Sequence, residues 1–93
     1  MEVDRHPQRA EGLEIEESGD GFIVYQPERD RIHYLNHTAA MLLELSRGEL
    51  SVKEIASLLA IAYSLSQAPE ADTTQALSEL AAEGLVSWQE ERR

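Results

Sequence analysis

Two turn signals set the frame of this chain. Ser18-Gly19-Asp20-Gly21 and Pro27-Glu28-Arg29-Asp30 divide residues 13 to 35 into three extended stretches. Glycine tolerates positive φ, and Asp and Ser side chains bond to neighbouring backbone, so both clusters reverse the chain. Before the first turn, Leu13-Glu14-Ile15-Glu16 alternates apolar and polar, the period of a half-buried strand. Phe22-Ile23-Val24-Tyr25 is aromatic and β-branched, a composition that favours a strand. Arg31-Ile32-His33-Tyr34-Leu35 forms the third stretch. Connections this short join antiparallel neighbours, so the three strands make a meander.

Past Leu35 the apolar period lengthens to that of a helix. Asn36 is suited to an N-cap, and Ala39, Ala40, Leu42, Leu43 and Leu45 follow at helical spacing, with Gly48 as the stop. Ser51-Val52-Lys53-Glu54 has the form of a capping box, and Val52, Ile55, Leu58, Leu59 and Ala62 share one face behind it. The stretch from Ser66 to Asp72, which contains Pro69, reads as a loop. Asp72 or Thr73 is then expected to cap a third helix that buries Ala76, Leu77, Leu80 and Ala81 and ends at Gly84. Leu85-Val86-Ser87-Trp88 is a short extended segment that returns to the body. Residues 1–12 are polar and aperiodic, residues 89–93 are charged, and both read as tails around one domain at 13–88. Strands first and helices after define an α+β class, with the helices packed on one face of the sheet.

Charge and cysteine usage narrow the function. The 93 residues hold 18 acidic and 8 basic side chains, a formal net charge of -10. Such a surface is repelled by nucleic-acid phosphates and by anionic membranes. With no cysteine, disulfides, thiolate metal sites and cysteine nucleophiles are excluded. The N-terminal residues lack the apolar core of a signal peptide, and the apolar run from Ile55 to Tyr63 is too short to span a bilayer. The expectation is a soluble, cytoplasmic protein.

Catalytic and metal-binding patterns are weak. His33 and His37 are near enough in sequence to meet at a strand-to-helix junction, and Glu44 would have to join them as a third ligand. Two imidazoles on a turn fit ordinary surface residues better, because a metal site needs three or four ordered ligands and an outer shell. No serine sits in a nucleophile elbow, and the glycines occupy tail, turn and cap positions rather than a phosphate loop. The expectation is a protein without catalysis, metal or cofactor. Glu14, Glu16 and Glu17 fit the solvated side of a strand better than a basic-ligand site. The helical half also has the outline of a helix-turn-helix. A DNA reader of that type needs Arg and Lys on its third helix, whereas residues 73–83 hold Glu79 and Glu83 and no basic residue.

The ordered combination of motifs resembles the PqqD-like family. Its parts are Arg31-Ile-His-Tyr-Leu-Asn-His-Thr-Ala-Ala40, Leu42-Leu-Glu-Leu45, Gly48, Ser51-Val-Lys-Glu-Ile55, then Leu58, Leu59 and Tyr63, and finally Leu77, Leu80, Gly84, Leu85 and Val86. The match runs from about residue 13 to 88. This resemblance implies a winged-helix-like module, a RiPP recognition element, which captures the leader of a ribosomally made precursor peptide and presents it to a modifying enzyme. It further implies that the leader adds as a strand beside the third strand and packs on the third helix.

Strand chemistry leads to the same place. An outer strand of a meander has unpaired N–H and C=O groups along one edge, and an extended peptide can satisfy them by β-augmentation. The expected groove residues are Arg31, Ile32, His33, Tyr34 and Leu35 on the strand, with Thr74, Leu77, Ser78 and Ala81 on the helix. Ser78 and Ala81 are small enough to leave room for a ligand side chain. Arg31 is expected to anchor an acidic leader side chain. For Ile32, Tyr34 and Leu77 the competing assignment is core, and Leu77 fits core better. The expected partners are a leader peptide and its modifying enzyme. The rival readings are a subunit that docks a folded, for example kinase-like, enzyme without a free peptide, and a winged-helix DNA regulator. An open edge also permits strand exchange, so the expected state is a monomer or weak dimer.

Overall fold

The computed structural model describes residues 4–89. The expected meander is present, but another strand precedes it. Residues 1–12 were expected to be a loose tail, yet His6–Arg9 forms β1. Its antiparallel partner is β5 (Val86–Gln89), in the register His6↔Gln89 to Arg9↔Val86. Local pattern could not reveal β1, because it is polar, contains Pro7 and pairs only with the far end of the chain. Long-range anchors fix it. Arg9 N–H donates to Ser46 O at 2.7 Å, Ala10 N–H to Leu85 O at 2.8 Å and Gly48 N–H to Pro7 O at 2.9 Å. Pro7 is buried, and the Arg5 guanidinium lies 4.4 Å from the ring centroid of Trp88. Gln89, expected in the C-terminal tail, closes β5, while the remaining tail residues 90–93 and residues 1–3 lie outside the described residues.

The second sheet comprises β2 (Glu14–Ser18), β3 (Gly21–Gln26) and β4 (Arg31–Leu35), antiparallel in the order β2-β3-β4. β4 is the third strand of the sequence reading. Ile15, Val24 and His33 share a row, and Val24 is fully buried, so this row faces the helices. The alternate rows Tyr25↔Ile32 and Ile23↔Tyr34 therefore face away from them. Gly21 is needed for proximity rather than for φ, since a Cβ there would collide with the Leu35 carbonyl oxygen. A short 3-10 turn, Pro27–Arg29, and Asp30 at φ 51° make the second reversal. Tyr25 Oη donates to Asp30 Oδ1 at 3.1 Å across it. That bond and the carboxylate charge raise the phenol above its ordinary pKa.

Three helices cover one face. Asn36 caps α1 (His37–Leu45) as expected, its side chain accepting from Ala39 N–H at 2.8 Å. The helix stops at Ser46, before Gly48. Ser46 Oγ donates back to Leu42 O at 2.6 Å, and Gly48, at φ 86°, makes the bend after it. Ser51 and Glu54 close the capping box of α2 (Val52–Ala62), with bonds of 3.1 and 2.8 Å. Ser51→Ala is expected to cost about 1 kcal/mol, lowering the melting temperature by roughly 4–8 °C in a calorimetric scan. α3 (Glu70–Ala82) begins earlier than expected. Its N-cap is Pro69, and Asp72 and Thr73 fall inside its first turns. Gly84, at φ 78°, follows the last turn.

Val24, Leu42, Leu43, Val52, Ile55, Leu59, Leu77, Leu80, Leu85 and Val86 form one core between the sheet and the helices. No helix of the described residues is long and apolar enough to cross a membrane.

Candidate functional site

The meander has two edge strands, and they differ in chemistry. β2 carries Glu14, Glu16 and Glu17 among its five residues, all exposed. Charges spaced along an edge oppose the addition of another strand. β4 carries no acid, and among the described residues β3 is its only strand partner. Its free edge looks across a groove towards α3.

That groove has a volume of about 700 Å³. Leu42, Leu80 and Leu85 form its buried apolar floor, while Ala39 and Ala76 are the small residues that keep it open. From β4 it takes Arg31, His33, Tyr34 and Leu35, and from the far wall Glu79 and Glu83. Ile32 is on the strand, but its side chain belongs to the outer row and is 58% exposed. Tyr34, in the neighbouring outer row, is 78% exposed and lines the groove at its rim. Neither is core.

The helix residues require a correction. Thr74, Leu77, Ser78 and Ala81 do not line this groove; Ala76, Glu79, Leu80 and Glu83 do. At about 100° per residue, Thr74, Ser78 and Ala81 lie on one flank of the core stripe formed by Thr73, Leu77 and Leu80. Ala76, Glu79 and Glu83 lie on the other. Both flanks hold small and polar residues, so composition could not say which one turns towards β4. Leu77 is fully buried in the core.

A polar chain closes one end of the groove. Gln26 Nε2 donates to Gly84 O at 3.2 Å, which tethers the sheet to the end of α3. This leaves Gln26 Oε1 to accept from His33 Nε2 at 2.9 Å, so that nitrogen carries the hydrogen. Arg31 is not free. Its guanidinium donates to Glu83 Oε1 at 3.0 Å, and His33 Nδ1 lies 3.7 Å from the same oxygen. The Arg31–Glu83 pair is half exposed, so it adds little stability. His33 and His37 are not brought into a metal site with Glu44: His37 instead packs edge-on against Phe22, with ring centroids 5.4 Å apart, and Glu44 pairs with Arg9 and Arg47. No cluster of three or more His, Cys, Asp or Glu suited to a metal occurs among the described residues.

A three-stranded meander backed by three helices, with a groove between its last strand and α3, defines a winged-helix-like α+β module. The model of the family described as Coenzyme PQQ synthesis protein D (PqqD) matches residues 21–86, more than half of the sequence. The chain belongs to the PqqD family. It is also similar to the solution NMR structure of the PqqD truncation of Methylobacterium extorquens PqqCD, with a TM-score of 0.72 and 26% sequence identity. The match covers 94% of this chain and 93% of that one. That protein is described as a functional, stand-alone RiPP recognition element. No curated protein matches the chain.

Proposed function

We propose that this protein is a non-catalytic recognition element, which binds the leader of a ribosomally made precursor peptide and presents it to a modifying enzyme. The leader adds as a strand to the free edge of β4 and lays its side chains into the groove against α3. The contrast between the two sheet edges carries this reading: β2 is lined with glutamates, whereas β4 is uncharged over most of its length and faces an apolar-floored groove. Main-chain bonds supply affinity with little sequence dependence, and the groove supplies selectivity. A segment of this size binds with about micromolar strength, near 8 kcal/mol. Family membership and the solved relative support the same reading.

The test is a titration of isotope-labelled protein with the leader half of a short precursor peptide encoded beside it. Amide shifts should cluster on Arg31 to Leu35 and on Ala76, Glu79 and Glu83. If no such peptide shifts these amides, the reading is wrong. Arg31 refines the expectation. An acidic leader side chain can take the guanidinium from Glu83, so Arg31→Ala should weaken binding about three- to tenfold at low salt. Its effect on stability should stay under about 1 kcal/mol. Unchanged affinity would remove Arg31 from the site.

A second reading has its own observation. Ile32 stands exposed on the outer sheet face beside Ile23 and Tyr25, away from the groove. This face suits the docking of a folded enzyme. The variant Ile32→Ser separates the two readings, because it should spare peptide binding and weaken enzyme docking. DNA regulation gains nothing, since the side of α3 beside the groove presents Glu79 and Glu83.

A further inference from the structure

At one end of the groove two hydrogen-bond acceptors face each other with no hydrogen between them. His33 donates through Nε2 to Gln26 Oε1, so Nδ1 of the neutral ring carries only a lone pair. Nδ1 lies 3.7 Å from Glu83 Oε1, itself an acceptor. Among the described residues nothing donates to Nδ1, although the His33 side chain is only 8% exposed and lines the groove. Buried polar atoms nearly always find partners, so a missing one calls for a physical reason. Among the described residues, Thr73 Oγ1 alone is both unpartnered and sealed from solvent. Nδ1 therefore keeps accessible surface, and a ligand can reach it. Acid is in excess around the gap. Glu79 and Glu83 line the groove from α3 against Arg31 alone from β4, and Arg31 already bonds Glu83 Oε1 at 3.0 Å.

We infer that the groove takes a basic side chain of the bound leader, a lysine, whose ammonium bridges His33 Nδ1 and the Glu83 carboxylate. A nitrogen about 2.9 Å from each atom fits between acceptors 3.7 Å apart. An ammonium has three hydrogens, enough to bond both acceptors, and its charge offsets the excess acid on that wall. The apolar stem of a lysine suits the groove's leucine floor. An acidic leader residue that draws Arg31 away leaves Glu83 freer for this cation, so the leader's acid and base support each other. The inference rests on the proposed function and adds the chemistry that selects among leaders.

The probe is n-butylammonium, compared with tetramethylammonium, which has the same charge and no N–H. Each is titrated at neutral pH and fixed ionic strength into the full chain, isotope-labelled in its histidine rings. n-Butylammonium should move the His33 Nδ1 signal to saturation, and tetramethylammonium should not. In Glu83→Gln the affinity for n-butylammonium should fall about tenfold, the loss of one charge-assisted bond, while an unchanged amide spectrum elsewhere shows that the fold persists. An equal response to the two cations overturns the inference. So does a His33 ring that already carries both hydrogens before any ligand is added, because the protein then fills the gap itself. The second arm is the leader half of a precursor peptide encoded beside the protein, with each lysine in turn replaced by norleucine. One replacement should cost about tenfold in affinity with the parent protein and little with Glu83→Gln. If the peptide perturbs residues 31–35 but no replacement has this effect, strand addition stands and this inference falls. If n-butylammonium moves Nδ1 but no leader peptide perturbs residues 31–35, the leader is not the occupant, and both fall.

Discussion

Ala76→Trp should reduce leader binding by more than about a hundredfold, some 2.7 kcal/mol, while leaving the fold in place. Ala76 is half-buried and lines the groove. An indole ring there has open space to enter, so it displaces ligand rather than neighbouring core. The groove needs small side chains at this point, because the main chain of an added strand must reach β4 while its side chains pass under α3. Ser78→Trp is the matched control. Ser78 is exposed on the opposite flank of the same helix, and tryptophan there should leave affinity unchanged. Calorimetric titration gives both affinities, and circular dichroism checks the fold of each variant. If Ser78→Trp abolishes binding and Ala76→Trp does not, the ligand lies on the other side of α3.

Leu77→Ala should destabilise the protein by about 2–5 kcal/mol. Leu77 is fully buried between the sheet and the other helices, so truncation leaves a cavity that the packed core can only partly close. A domain of this size has only about 5–15 kcal/mol in total. The loss should appear as a drop in melting temperature of more than about 10 °C, and as a lower urea midpoint. A change confined to peptide affinity would mean that Leu77 faces the ligand rather than the core.

What could be read beforehand follows the range of the interactions involved. The meander was legible because its turns and its alternation are local, and Asn36 and Ser51 announced two helix starts through side chains only three residues from their partners. β1 was not legible. Its stability comes from β5 and from the end of α1, contacts that no window of sequence contains. The strand side of the candidate site was placed by topology alone, since the last strand of a meander must be an edge. The helix side turned on rotation about the axis of α3, which packing of Leu77 and Leu80 into the core decides. Arg31 is basic in an acidic chain, but its pairing with Glu83 depends on an approach between residues 52 apart.

The β1–β5 pair has a consequence for engineering and for inheritance alike. His6 and Gln89 are register partners, so the two ends of the described chain stand side by side, about 5 Å apart at their Cα atoms. A few glycines could join them, and a circular permutant opened in the exposed stretch from Tyr63 to Gln67 would keep every strand pairing and the whole groove. By the same geometry, a neighbouring protein can be appended at either end and emerge at one place on the surface. Order of fusion is then free to change without changing where the groove points.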